Sequence, residues 1–134
     1  MAALDTNVLV RLLVEDDVAQ LAAAQKLIGK ILAASETLYV PVTVAIELEW
    51  VLRAGFGFDK SSVSHALSSL LSAAELSFQS AHAVEIALRT YTEGSADFSD
   101  CLHVALARAA DEHPLWTFDK AASKVDGAKL LAAR

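Results

Sequence analysis

Little in this chain can serve as a covalent or purely electrostatic anchor. Its one cysteine, Cys101, excludes an internal disulfide and fits a reducing compartment. Two prolines and five glycines leave no Pro/Gly-rich linker, and there is no low-complexity tail or internal repeat. The apolar fraction is 54%. Even so, no run of about 18 uninterrupted apolar residues exists, so no membrane span is expected. No basic region followed by an apolar run and cleavage site opens the chain, so no secretory signal is read and a cytoplasmic location is expected. Basic residues are scarce: 11 Lys and Arg stand against 17 Asp and Glu, a formal charge of −6. That balance argues against a plain electrostatic binder of nucleic acid. It leaves room for a protein that concentrates its acids in one metal site.

What is present is an alternation. At 134 residues the chain is long enough for one domain, residues 1–134, with a substantial core. Short apolar runs at residues 1–4, 37–42, 75–80, 114–118 and 128–131 read as strands. Helical spacing fills residues 15–35, 43–55, 61–74, 81–94, 97–112 and, briefly, 119–125. The Ser-rich stretch 61–74 is a helix because Val63, Leu67, Leu70, Leu71 and Ala74 recur on one face. Thr43 is the expected N-cap of its helix, and Gly55 and Gly57 its stop. Strands alternating with helices predict a three-layer α/β/α sandwich around a central parallel sheet of four to five strands.

Four acids share one feature of this pattern. Asp5 follows the first strand, and Glu47 lies one turn into the helix after the second. Asp100 lies in the first turn of the helix that starts near Asp97, and Asp119 follows the strand LWTF. In a parallel sheet the strands end on one edge, and ligands bind in the crevice there. Each acid alone reads as a helix cap or a complement to a helix dipole. Together they exceed that need. Thr43 covers the cap of the Glu47 helix, and Asp97 covers that of Asp100, so capping takes the larger share of the reading at Asp97.

Converging carboxylates repel, and a divalent cation removes the conflict. An oxygen-only set favours Mg²⁺, with Mn²⁺ able to substitute, over Zn²⁺. Phosphodiester hydrolysis suits such a site, since the metal lowers the pKa of a bound water and stabilises the leaving oxygen. Asn7 and Thr117 are candidates to bond the ligand carboxylates or metal waters from behind.

The segments LDTNVLVRLL, VTVAIELEWVLR, ADFSDCLHVALA and LWTFDKAA, in this order and spacing, resemble the PIN-domain ribonucleases. More narrowly they resemble the VapC toxins of bacterial toxin–antitoxin pairs. The resemblance runs from residue 1 to about 130. It implies a Mg²⁺- or Mn²⁺-dependent endoribonuclease with Asp5, Glu47, Asp100 and Asp119 at the family's acidic positions, and an acid often found at Asp97. It further implies cleavage of structured RNA (transfer or ribosomal), a homodimer, and a cognate VapB-like antitoxin that blocks the crevice.

Two carboxylates compete at ELE. Glu47 and Glu49 lie about 200° apart on a helix, so only one can face the crevice, and Glu47 is favoured. Arg11, Arg53 and Lys120 are the candidates to hold an RNA backbone, against the plainer role of solvated surface charge. His65, His82, His103 and His113 form no ligand set. Cys101 reads as a small buried hydrophobe. Trp50 and Trp116 could stack on bases, but both lie in apolar periodic segments and are expected in the core. A receiver-like phospho-accepting signalling domain is the alternative. It needs an acidic pair after the first strand, where DTN supplies one acid, and a well-placed Lys after the last, where Lys120 adjoins Asp119.

Overall fold

The computed structural model describes residues 2–133. The strand expected from residue 1 therefore starts outside the described residues, at Met1. Two compact units divide the chain, Met1–Gln79 and Ser80–Arg134. Among the described residues no helix is long and apolar enough to cross a membrane.

The first unit runs β1 (Ala2–Ala3), α1 (Thr6–Leu13), α2 (Val18–Ala33), β2 (Leu38–Val40), α3 (Val42–Trp50), α4 (Lys60–Leu71) and β3 (Leu76–Phe78). Its sheet has the order β1-β2-β3 and is parallel throughout, with Ala2 opposite Leu38 and Leu38 opposite Leu76. The central strand shows the two-residue repeat plainly: Leu38 and Val40 are fully buried and Tyr39 is exposed. Leu9, Val10, Leu48, Leu52, Val63 and Leu67 complete this core. In α4 the buried positions are Val63, Ala66, Leu67 and Leu70, while Ala74 lies beyond the helix and is exposed. Asp59 caps α4, and bonds from the Ser62 backbone N–H and hydroxyl hold its carboxyl below the ordinary carboxylate range.

Helix α3 begins differently from the expectation. Its N-cap is Pro41, and Thr43 sits inside the first turn without capping it. The Val42 N–H is taken instead by the Gln79 side-chain carbonyl at 2.9 Å, 37 residues away in sequence. Proline pre-sets the entry backbone but offers no acceptor side chain, so the acceptor comes from the end of β3. The helix then widens into a π-helical stretch, Val51–Gly55, before Gly57 ends it at φ +70°.

The second unit runs α5 (Ala81–Glu93), α6 (Phe98–Ala109), β4 (Leu115–Thr117), a 3₁₀ turn (Ala122–Lys124) and β5 (Ala128–Leu130). Helices α5 and α6 pack through Val84, Ala87, Leu88 and Tyr91 against Phe98, Leu102 and Ala105, and Tyr91 meets Phe98 edge to face at 5.6 Å. Strands β4 and β5 are parallel, Trp116 opposite Lys129. The α/β class and the parallel pairing thus follow the expectation. Among the described residues, however, the strands bond as a set of three and a set of two.

Gly127 gives a direct test of this packing. It has φ +105°, and a Cβ there would lie 2.9 Å from Val104 Cγ1 and 3.3 Å from Arg108 Cδ. Gly127→Ala should cost about 1–2 kcal/mol, from a backbone that side chains avoid and from the clash, seen as a lower urea midpoint.

Candidate active site

Each candidate acid is set by its own element. Asp5 is the N-cap of α1, directly after β1, and its Oδ1 accepts from the Thr6 N–H at 2.6 Å. It therefore does cap, but with one oxygen, and it remains exposed. Thr6 beside it is only 2% exposed, and its hydroxyl is buried with no partner among the described residues. Such an orphan is costly unless a water or ligand reaches it. Asn7 is exposed and lines a cavity of about 350 Å³ with Arg11, Gln20 and Leu27. Among the described residues its side chain bonds no carboxylate.

Glu47 and Glu49 separate as helix geometry requires. Glu49 is 4% exposed and accepts from the Arg53 guanidinium at 2.7 Å, one turn on. Glu47 is exposed and makes no ion pair among the described residues. With β1, β2 and β3 parallel, their carboxyl ends share one edge, so Asp5 and the start of α3 stand on it together.

In the second unit, Asp97 occupies the N-cap position of α6, yet its side chain makes no cap bond. The capping role expected of it is absent. It is exposed. Asp100 lies in the first turn of α6, partly buried. Burial pushes its carboxyl above the ordinary range; the Asp119 charge pushes it further, then that of Asp97, while His103 opposes them. Asp119 directly follows Phe118 at the end of β4, and its Oδ1 accepts from the Ala122 N–H at 2.9 Å to start the 3₁₀ turn. Thr117 Oγ1 accepts from the Asp119 backbone N–H at 3.0 Å. Thr117 thus shapes the turn that carries Asp119 and does not bond the carboxylate itself.

In the second unit Asp119 and Asp97 therefore both act electrostatically on Asp100. Among the described residues no group of three or more His, Cys, Asp or Glu is gathered tightly enough to hold a metal ion as it stands. The donor chemistry nevertheless suits a hard cation. In the second unit the donors are all carboxylate oxygens, and Asp100 is part-buried with the Asp119 and Asp97 charges acting on it.

The profile of the PIN domain matches residues 2–128, across both units. The chain belongs to the PIN domain family. No curated protein and no solved structure matches it. PIN domains are generally metal-dependent nucleases, so membership points to phosphodiester hydrolysis and to divalent-cation chemistry.

Other side chains of this PIN domain depart from the expected pattern. Trp50 and Trp116 are not core residues; they are 58% and 56% exposed. Both belong to apolar segments whose buried positions are taken by neighbours: Leu48 and Leu52 around Trp50, and half-buried Leu115 and Thr117 around Trp116. Two of the three cations considered for RNA are engaged elsewhere, Arg11 with Asp16 and Gln20, and Arg53 with Glu49. Lys120 is exposed. Cys101 is buried on α6. Phe118, 67% exposed beside Asp119, escaped sequence reasoning because a strand-end aromatic reads as core.

Proposed function

We propose that this PIN domain is a Mg²⁺-dependent endoribonuclease, with Mn²⁺ able to substitute, and that it is a toxin of the VapC type. Asp5, Glu47, Asp100 and Asp119 are its acidic set, with Asp97 as an additional contributor. The observations that support this are the PIN-domain match over residues 2–128 and the part-buried place of Asp100 in the first turn of α6, where burial and the Asp119 and Asp97 charges outweigh the opposing His103. Helix capping does not account for Asp97, since its side chain makes no cap bond.

Bound by these carboxylates, the cation would lower the pKa of a water and stabilise the leaving oxygen of a phosphodiester. The protein's own part is to hold the acids in place. The Thr6 N–H fixes one oxygen of Asp5, and the Ala122 N–H fixes one oxygen of Asp119. Each keeps its second oxygen for other work. The Arg53 guanidinium holds Glu49 and so leaves Glu47 as the acid offered by α3. The same assignment carries a structured RNA substrate, a cognate VapB-like antitoxin, a homodimer and a cytoplasmic setting; it is supported by the order and spacing of the four segments that resemble VapC toxins.

The test is cleavage of total RNA with Mg²⁺ or Mn²⁺, beside an EDTA control and Asp5→Asn. Asparagine caps a helix as well as aspartate does, so the variant keeps α1. Cleavage at few sites, lost in EDTA and in the variant, is the expected result. Labelling of Asp5 by acetyl phosphate with intact RNA would instead establish the receiver-like alternative.

A further inference from the structure

A nuclease with a net charge of −6, in which Arg11 and Arg53 are already paired with carboxylates, needs another way to hold its substrate. One face of the β4–β5 pair offers it. Trp116 and its register partner Lys129 stand on the same side, with the Lys129 ammonium 5.7 Å from the indole centroid. Phe118 directly follows β4, and Leu131, just past β5, donates its N–H to the Thr117 carbonyl. Trp116 is 56% exposed, Phe118 67% and Leu131 44%. Large aromatics rarely stay in water without a use when their strand neighbours are partly buried.

From this juxtaposition we infer that the Trp116–Phe118 face is a stacking platform for unpaired bases of the nucleic-acid substrate, with Lys129 beside it for a phosphate. The inference rests on the nuclease assignment for its class of ligand. Two observations favour this occupant. The platform adjoins Asp119, the residue after Phe118, so a strand lying on it passes a proposed metal-binding carboxylate. Its charge also suits a polyanion: residues 115–131 carry Lys120, Lys124 and Lys129 against Asp119 and Asp126, in a chain that is otherwise acidic. A second copy of the chain suits it less, because a twofold contact centred here would bring two Lys129 ammonium groups together. Lys129 covers only part of the indole, and more than half of the Trp116 surface remains for a base. Stacking is available to every base but only when it is unpaired, so the platform selects loops and single strands.

Trp50→Phe leaves Trp116 as the sole tryptophan and a clean fluorescence reporter. In EDTA, a single-stranded RNA 10-mer should quench it, while the same strand in a duplex and an abasic 10-mer of equal charge should not. Phe118→Ala should weaken the quenching affinity about tenfold. In the protein with Trp50 intact, Trp116→Ala should raise KM about tenfold with kcat unchanged, and Trp116→Phe should restore KM. Equal quenching by the abasic strand, or an unchanged KM in Trp116→Ala, overturns the platform. So does a Trp116→Ala protein that changes from dimer to monomer with its RNA affinity intact, which would make the face an interface between copies. The two ideas fail separately: metal-dependent cleavage without quenching removes the platform alone, and quenching without any cleavage removes the nuclease assignment alone.

Discussion

Asp100→Asn should reduce metal-dependent cleavage at least about 100-fold while raising the melting temperature of the metal-free protein. The loss follows from its place in the acidic set. Residues that merely support a metal ligand cost about 10–100-fold when changed, and a ligand itself costs at least the upper end. The gain in stability follows from the charges around it. Asp100 is pressed upward by burial and by the Asp119 and Asp97 carboxylates, so the folded protein holds the Asp100 proton more tightly than the unfolded chain does. Between the unfolded value and the raised folded value, the folded state binds more protons, and stability falls as pH rises. Below that window the penalty is absent; above it the penalty is present in full. Asparagine cannot ionise, so the variant should lack this fall and melt about 1–3 °C higher at pH 7 in EDTA. Mg²⁺ should stabilise the parent protein and not the variant. Calorimetry in EDTA and in Mg²⁺, at pH 4 and pH 7, separates these effects. A variant that melts lower at pH 7 would mean that Asp100 is a structural group.

The second large effect separates two neighbours on α3. Glu47→Gln should lower kcat about 100-fold with little change in the urea midpoint, since Glu47 is exposed and makes no ion pair among the described residues. Glu49→Gln should do the reverse. Its carboxylate is buried and bonds the Arg53 guanidinium at 2.7 Å, so the loss removes a charge-assisted bond and leaves Arg53 short of its partner. The expected cost is about 1–2 kcal/mol, the lower part of the range for such bonds, because Arg53 is half exposed and recovers water. Residual activity, corrected for the folded fraction, should stay near the parent value. If both variants lost activity without losing stability, the assignment of Glu47 over Glu49 would fail.

The same pair shows what was legible beforehand. Two residues two apart on a helix must face apart, and the sequence alone states that. Which of them is buried depends on what packs on α3. Capping divides in the same way. Asp17 and Asp59 cap within three residues of themselves and are local facts. The cap of α3 comes from Gln79, brought there by the parallel pairing of β2 with β3, and no local signal names it. Asp97 has the spacing of a cap and does not act as one, because spacing does not determine where a side chain turns.

The sequence by itself determined the parallel α/β class, the order of the helices and strands other than α1 (Thr6–Leu13), which it missed, and the four acids that follow strands or lie in the first turns of helices. These depend on periodicity and chirality, which act over a few residues. Only the tertiary structure decided the division of the strands into sets of three and two, the burial of Glu49, the mutual pressure on Asp100, and the exposure of Trp50, Trp116 and Phe118. Period-two alternation gives every strand two faces and says nothing of what covers the second. Burial and charge coupling depend on neighbours distant in the chain, and only the folded backbone brings those neighbours into range.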